Sequence, residues 1–223
     1  MRAESRTTIG RVGPTLVAVA LWIGACGQTE EAARPARPDP VVAALEQGFQ
    51  VDTVGVRDLA RGDSLNRHAG LTIIETTVGF DPAMRDGEVV AWEFRAVALH
   101  PVKLLLVRYA AAEKSFELVG ESPMVVPERL GVNRVALPEP IPVTRGTLFG
   151  IYQPEAGVIP YRQVRNWKTL IAAGAFQRPF TPRSLFSMYG WRYAARVFCR
   201  HGEPGETAAA VEAVEADSTG DAP

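Results

Sequence analysis

Histidine and cysteine are scarce in this chain. Its 223 residues hold three histidines (His68, His100, His201) and two cysteines (Cys26, Cys199), all far apart. That scatter gives no zinc-ligand spacing and no disulfide framework. No glycine-rich phosphate loop or dinucleotide fingerprint is present, so nucleotide chemistry has no foothold. No apolar run approaches the roughly 20 residues that span a bilayer. Lysine is rare, at three against 21 arginines, and residues 156–201 contain no acid at all. These absences leave no expected cofactor or metal. Neither internal repeats nor a second apolar segment break up the chain.

What is present begins with a positive start. Arg2, Arg6 and Arg11 outweigh Glu4 and precede the short apolar run Leu16–Ile23. A basic start, a short apolar core and small residues after it are the layout of an export signal rather than a membrane helix. The run ends Ile23-Gly24-Ala25-Cys26, which resembles the lipobox of bacterial lipoproteins. The resemblance covers the first 26 residues. It implies cleavage of 1–25, diacylglyceryl attachment to the Cys26 sulfur, and a stable anchor, since two or more acyl chains hold where one does not. Gly27 after the cysteine, rather than Asp, favours the outer membrane on the same analogy.

Residues 26–40 read as a tether, with prolines, mixed charge and no bulky apolar side chain. Fully extended, such a length reaches roughly 45 Å. At the other end, 202–223 carries six acids and no base and reads as a disordered acidic tail. The net charge of −1 therefore conceals a basic domain over 41–201. Its excess, eight bases within 156–201, sits beside the acidic tail and is placed to neutralise it.

The 41–201 segment is one domain's worth of chain and is mainly β. Runs at 71–77, 87–96, 102–109, 115–121, 131–137, 147–153 and 191–199 are rich in β-branched and aromatic residues, separated by turn residues. In 87–96, Val90, Trp92 and Phe94 alternate with Ala91, Glu93 and Arg95, which predicts one buried and one wet face. Pro138, Pro140 and Pro142 remove donors along one side of a strand, which predicts a sheet edge. Two short helices are expected. One is framed by Asp39 and Gly48; the other covers 161–174, with Val164, Trp167 and Ile171 on one face. The spacing predicts a single antiparallel β-sandwich, jelly-roll-like. Gly87, Val89 and Trp92, the LVGES turn and the PVTRGTLFGIY segment give 87–152 a loose resemblance to secreted bacterial β-sandwich modules, which implies the fold and no chemistry.

Two short motifs overlap at 61–68, RGDSLNRH. Arg61-Gly62-Asp63 spells an integrin-recognition tripeptide, and Gly62-Asp63-Ser64-Leu65 the nucleophile block of GDSL-type esterases. A serine hydroxyl is a weak nucleophile without a base. None of the three histidines has Asp three residues before it, as such esterases require. The stretch reads as a polar turn ahead of the strand at 71. Asp81 and Asp86 likewise read as turn residues rather than calcium ligands. With Cys26 spent on lipid, Cys199 is left as a small buried hydrophobe.

The candidate recognition surface is 160–191, where Trp167, Phe176, Phe180, Phe186 and Tyr189 alternate with Arg165, Lys168, Arg178 and Arg183. Aromatic platforms with charge-assisted donors suit a glycan, an envelope component or a protein partner. Nucleic acid is not expected of an exported, membrane-tethered chain. The sequence thus predicts a non-catalytic binding module displayed from a membrane. A hydrolase with a site not evident in sequence and a structural spacer are the alternatives.

Overall fold

Asp39 caps the first helix. Its side chain accepts a hydrogen bond from the Val41 amide at 2.9 Å and Pro40 opens the first turn, so α1 (Pro40–Glu46) starts as such a cap dictates. Gly48, with φ 81°, lets the chain turn away after it. The computed structural model describes residues 38–76, 84–176 and 187–204. Among these, α1 is the one helix, and no helix is long and apolar enough to cross a membrane. The lipobox, the export signal, most of the tether and most of the acidic tail lie outside the described residues.

The strands are β1 (Gln50–Gly55), β2 (Leu71–Glu75), β3 (Gly87–Ala96), β4 (Lys103–Ala110), β5 (Ser115–Glu121), β6 (Gly131–Val143) and β7 (Leu148–Gln153). They continue with β8 (Tyr161–Gln163), β9 (Thr169–Ala173), β10 (Ser187–Tyr189), β11 (Trp191–Tyr193) and β12 (Ala195–His201). All pairings among the described residues are antiparallel. One sheet has the order β1-β12-β3-β6, the other β10-β9-β2-β7-β4-β5, and β11 and β8 form a separate ribbon. The protein is a β-sandwich, as the sequence predicts. Its main core lies between the sheets, where Val89, Trp92 and Phe94 of β3 join Ile73, Leu104, Leu106 and Ile151 of the facing sheet, all fully buried. The Trp92 and Phe94 rings stack at 4.5 Å.

The proline-bearing segment continues β6 and forms the edge of its sheet. Here the missing donors face no partner strand, and the edge is closed to further pairing.

Three expectations need correction. The segment 161–174 is not a helix. Tyr161–Gln163 pairs with Trp191–Tyr193, and Thr169–Ala173 pairs with both β2 and β10. Between them Asn166 adopts φ 66° and the Trp167 amide closes a turn onto the Val164 carbonyl. Second, the outer face of β3 is covered at its centre, while Glu88 and Arg95 near its ends stay partly exposed. The register slips between Val89 and Ala91, so Val90 is an extra residue pushed outward beside Ala91, where both pack with Val41 of α1 and Phe198 of β12. Glu93 on that face is also buried.

Third, part of the basic excess is neutralised inside the domain rather than being left for the tail. Arg196 and Arg134 both reach the Glu93 carboxylate, and Arg200 pairs with Glu88 at 2.6 Å. Arg134 also binds Asp39. The Arg134 and Arg196 guanidinium groups lie 4.9 and 5.5 Å from the Phe198 ring centroid, and Arg200 lies 4.8 Å from that of Phe49. Arginine suits this use because its planar head can stack and bridge at once.

Candidate functional site

The β8–β11 ribbon stands apart from the two sheets and carries a cluster of aromatic side chains. Tyr193 lies opposite Tyr161, and Trp191 opposite Gln163. These four share one face of the ribbon, while Arg162 and Arg192 share the other. The Trp191 ring lies 4.3 Å from Tyr161 at 19° and 4.0 Å from Tyr189 at 10°. Two rings cannot sit side by side on one face of an indole at such short separations. Trp191 is therefore sandwiched, and Tyr189 is the outer member of a three-ring stack. Tyr193 tilts against its inner end at 5.4 Å.

Gly190 makes the stack possible. A Cβ at this position would lie 2.9 Å from the Val164 carbonyl oxygen. The Gly190 carbonyl in turn accepts from the Val164 amide at 2.7 Å. Any side chain would push the chain off this contact and separate Tyr189 from Trp191.

A cleft of about 430 Å³ opens beside the stack, lined by Asn66, His68, Leu71, Ile171, Tyr189 and Trp191 with the small Ala69 and Ala173. No Lys, Arg, Asp or Glu is among these lining residues. Asn66 is held by accepting from the His68 amide at 3.0 Å and donating to the Tyr193 hydroxyl at 3.4 Å. Its amide still has a second proton to give. The His68 side chain is exposed.

Behind the wall lies Glu75, at the end of β2 and buried. It accepts from the Trp167 indole N–H, from the Thr169 hydroxyl at 3.1 Å and from the Tyr193 amide at 3.1 Å. The Thr169 hydroxyl also points at the Trp191 carbonyl, and its one proton cannot serve both. Burial pushes the Glu75 carboxyl up, and its three donors and the Arg192 charge only partly offset this, leaving it at about 7. When protonated, Glu75 can donate to Thr169, whose own proton then goes to Trp191. One carboxyl thus ties β9, the Trp167 turn and β11 together. Burial also raises the Tyr193 hydroxyl well above its ordinary value.

The sequence-predicted site residues separate. Tyr189 is 36% exposed and lines the cleft. Arg165 and Lys168 are exposed in and after the turn, away from the lining. Trp167 is buried at 7%, bound to Glu75 and covered by the Arg192 guanidinium at 4.3 Å, so it offers no platform to a ligand. Phe176 is half-buried against the cluster of Ile74, Leu105, Val107 and Phe116 on the outer face of the larger sheet. Arg178, Phe180, Arg183 and Phe186, like Cys26 and Asp81, lie outside the described residues. Sequence reasoning missed Tyr161, Trp191, Asn66, His68 and Glu75. The signal was Tyr-Gly-Trp-Arg-Tyr at 189–193, aromatics on alternate positions of one strand face.

The 61–64 motif forms a second, polar cleft of about 530 Å³ with Arg162 and Gln163. Arg95 clamps this loop by donating to the Ala60 and Gly62 carbonyls at 2.8 and 3.0 Å. Arg61 pairs with Asp58 at 2.9 Å, and the Ser64 hydroxyl donates to Asp63 at 3.1 Å. Ser64 thus has a carboxylate beside it and no imidazole among its hydrogen-bond partners. Asp86 accepts from the Arg145 amide at 2.7 Å, a turn contact. Among the described residues no cluster of three or more His, Cys, Asp or Glu side chains is placed to hold a metal ion. Cys199 is fully buried and its thiol is pushed up to about 11, chiefly by burial, so it stays protonated and inert at neutral pH. No protein-family model, curated protein or solved structure matches the chain.

Proposed function

We propose that this chain is a non-catalytic recognition module displayed from a bacterial membrane, with the Tyr189–Trp191 cleft as its binding surface. One observation carries the reading: a three-ring stack, fixed on both sides of Trp191, walls a cleft with no Lys, Arg, Asp or Glu among its described lining residues. A wall already held in place loses little freedom when a ligand lands on it, which favours binding. The two side chains that sequence offers for nucleophilic chemistry lack activation, since Ser64 has no imidazole partner and Cys199 is a buried thiol. Display rests on the Ile23–Cys26 lipobox.

Two measurements test it. Cys26→Ala is expected to move the full chain from the membrane to the soluble fraction; retention on the membrane would remove the anchor. For the cleft, the full chain in mild detergent is titrated with envelope glycans, lipopolysaccharide fragments and anionic vesicles. Saturable binding lost in Tyr189→Ala but kept in Arg165→Ala supports the site. Ester or glycoside turnover that vanishes in Ser64→Ala would replace this reading with a hydrolase.

A further inference from the structure

We infer that the cleft takes an uncharged pyranose ring of a glycan, stacked on Tyr189, with ring hydroxyls on Asn66 and His68. The inference rests on the cleft being the recognition surface and adds the chemistry of its ligand.

Charge narrows the ligand class first. The described lining holds two amphipathic rings, four aliphatic side chains, the Asn66 amide and the His68 imidazole. A phosphate or carboxylate entering here would leave water with no Lys or Arg among the described lining residues to meet it, and such a loss is not repaid. Among the described residues, Arg67 is exposed between Asn66 and His68 but is not among the lining residues, and two further arginines are engaged elsewhere. Arg192 covers Trp167 and donates to the Gly55 carbonyl at 2.9 Å, and Arg95 holds the 60–62 loop. A purely apolar ligand fits little better, because it would leave the spare Asn66 proton and the His68 imidazole without partners.

The stack then specifies shape. Both faces of Trp191 are covered, so the ring left to a ligand is Tyr189, which is 36% exposed and lines the cleft. A pyranose chair presents a flat patch of C–H groups flanked by hydroxyls. The C–H patch suits the negative face of an aromatic ring, and the hydroxyls suit donors and acceptors at its margin. Asn66 and His68 supply those groups on one loop, the first fixed by Tyr193 and the second exposed. The volume of about 430 Å³ accommodates one or two rings rather than a long chain.

The test titrates the full chain in mild detergent with uncharged gluco-, galacto- and manno-oligosaccharides by calorimetry. Acidic polysaccharide and anionic vesicles run in parallel. Binding of an uncharged oligosaccharide is expected, unchanged over a roughly tenfold rise in sodium chloride. It should weaken about tenfold in Tyr189→Ala, stay within about threefold in Tyr189→Phe, and weaken about fivefold in His68→Ala. His68 is exposed, so that variant keeps the test decisive if Tyr189→Ala fails to fold. Binding confined to the acidic polysaccharide or vesicles, and still lost in Tyr189→Ala, would overturn the neutral-sugar inference and leave the cleft as the recognition site. Binding of nothing, or binding indifferent to both Tyr189→Ala and His68→Ala, would overturn both.

Discussion

Glu75 gives the folded domain one pH response of its own. Its carboxyl sits at about 7 in the folded protein against an ordinary 4.5. Below about 4.5 both folded and unfolded chains hold the proton, and the stabilisation from this group is complete. As pH rises the unfolded chain releases its proton first, so stability is lost through the window from 4.5 to 7 and is flat above it. The full difference is roughly 3 kcal/mol. In Glu75→Gln that slope should disappear, although the variant is less stable overall because an amide cannot accept from three donors. Urea titrations at a series of pH values check this. A variant whose stability tracks that of the native chain across the window would show that Glu75 does not titrate there. The sequence hid this group because an acid ending a strand reads as exposed. Burial of both faces of Leu71–Glu75 is decided by partners at 148–153 and 169–173.

At the scale of elements, the outer face of the smaller sheet is organised by Glu93. It is 4% exposed and receives Arg134 from β6 and Arg196 from β12, the strands on either side of β3. Removing it leaves two guanidinium groups facing each other over an apolar patch. Glu93→Ala is expected to cost about 2–3 kcal/mol, read as a lower urea midpoint with an unchanged slope. A loss below about 0.5 kcal/mol would make the ladder incidental. Sequence reading succeeded where the cause was local, as at the Asp39 cap, in the extents of β3 and β5, and at the Pro138–Pro142 edge. It failed where the cause was distant. Val164, Trp167 and Ile171 have helical spacing, but the strands they flank are fixed by partners at 191–193 and 71–75. The extra residue Val90 shows the same limit, since a bulge breaks the alternation on which burial was argued.

For the whole molecule, the internal pairing of arginines changes what the acidic end has to do. Glu88, Glu93 and Asp39 already meet Arg200, Arg196 and Arg134. Deleting 205–223 should therefore shift the unfolding temperature by less than about 2 °C. A larger fall by calorimetry would mean that the tail supports the domain. The cleft itself was only half legible. Tyr189 could be picked out by composition, but the stack exists only once β8 and β11 pair and bring Tyr161 across to Trp191.

The pairing of β1 with β12 also fixes how the domain bears load. Gln50 lies opposite His201 at one end of the pair, and Gly55 opposite Arg196 at the other. The chain enters β1 at the Gln50 end, whereas β12 leads back to Tyr193 and the cleft from its Ala195 end. On the proposed reading, a pull between the entering chain and a ligand at Tyr189 draws the two strands past each other along their length. Six residue pairs, from Gln50–His201 to Gly55–Arg196, resist together in shear instead of peeling open one after another.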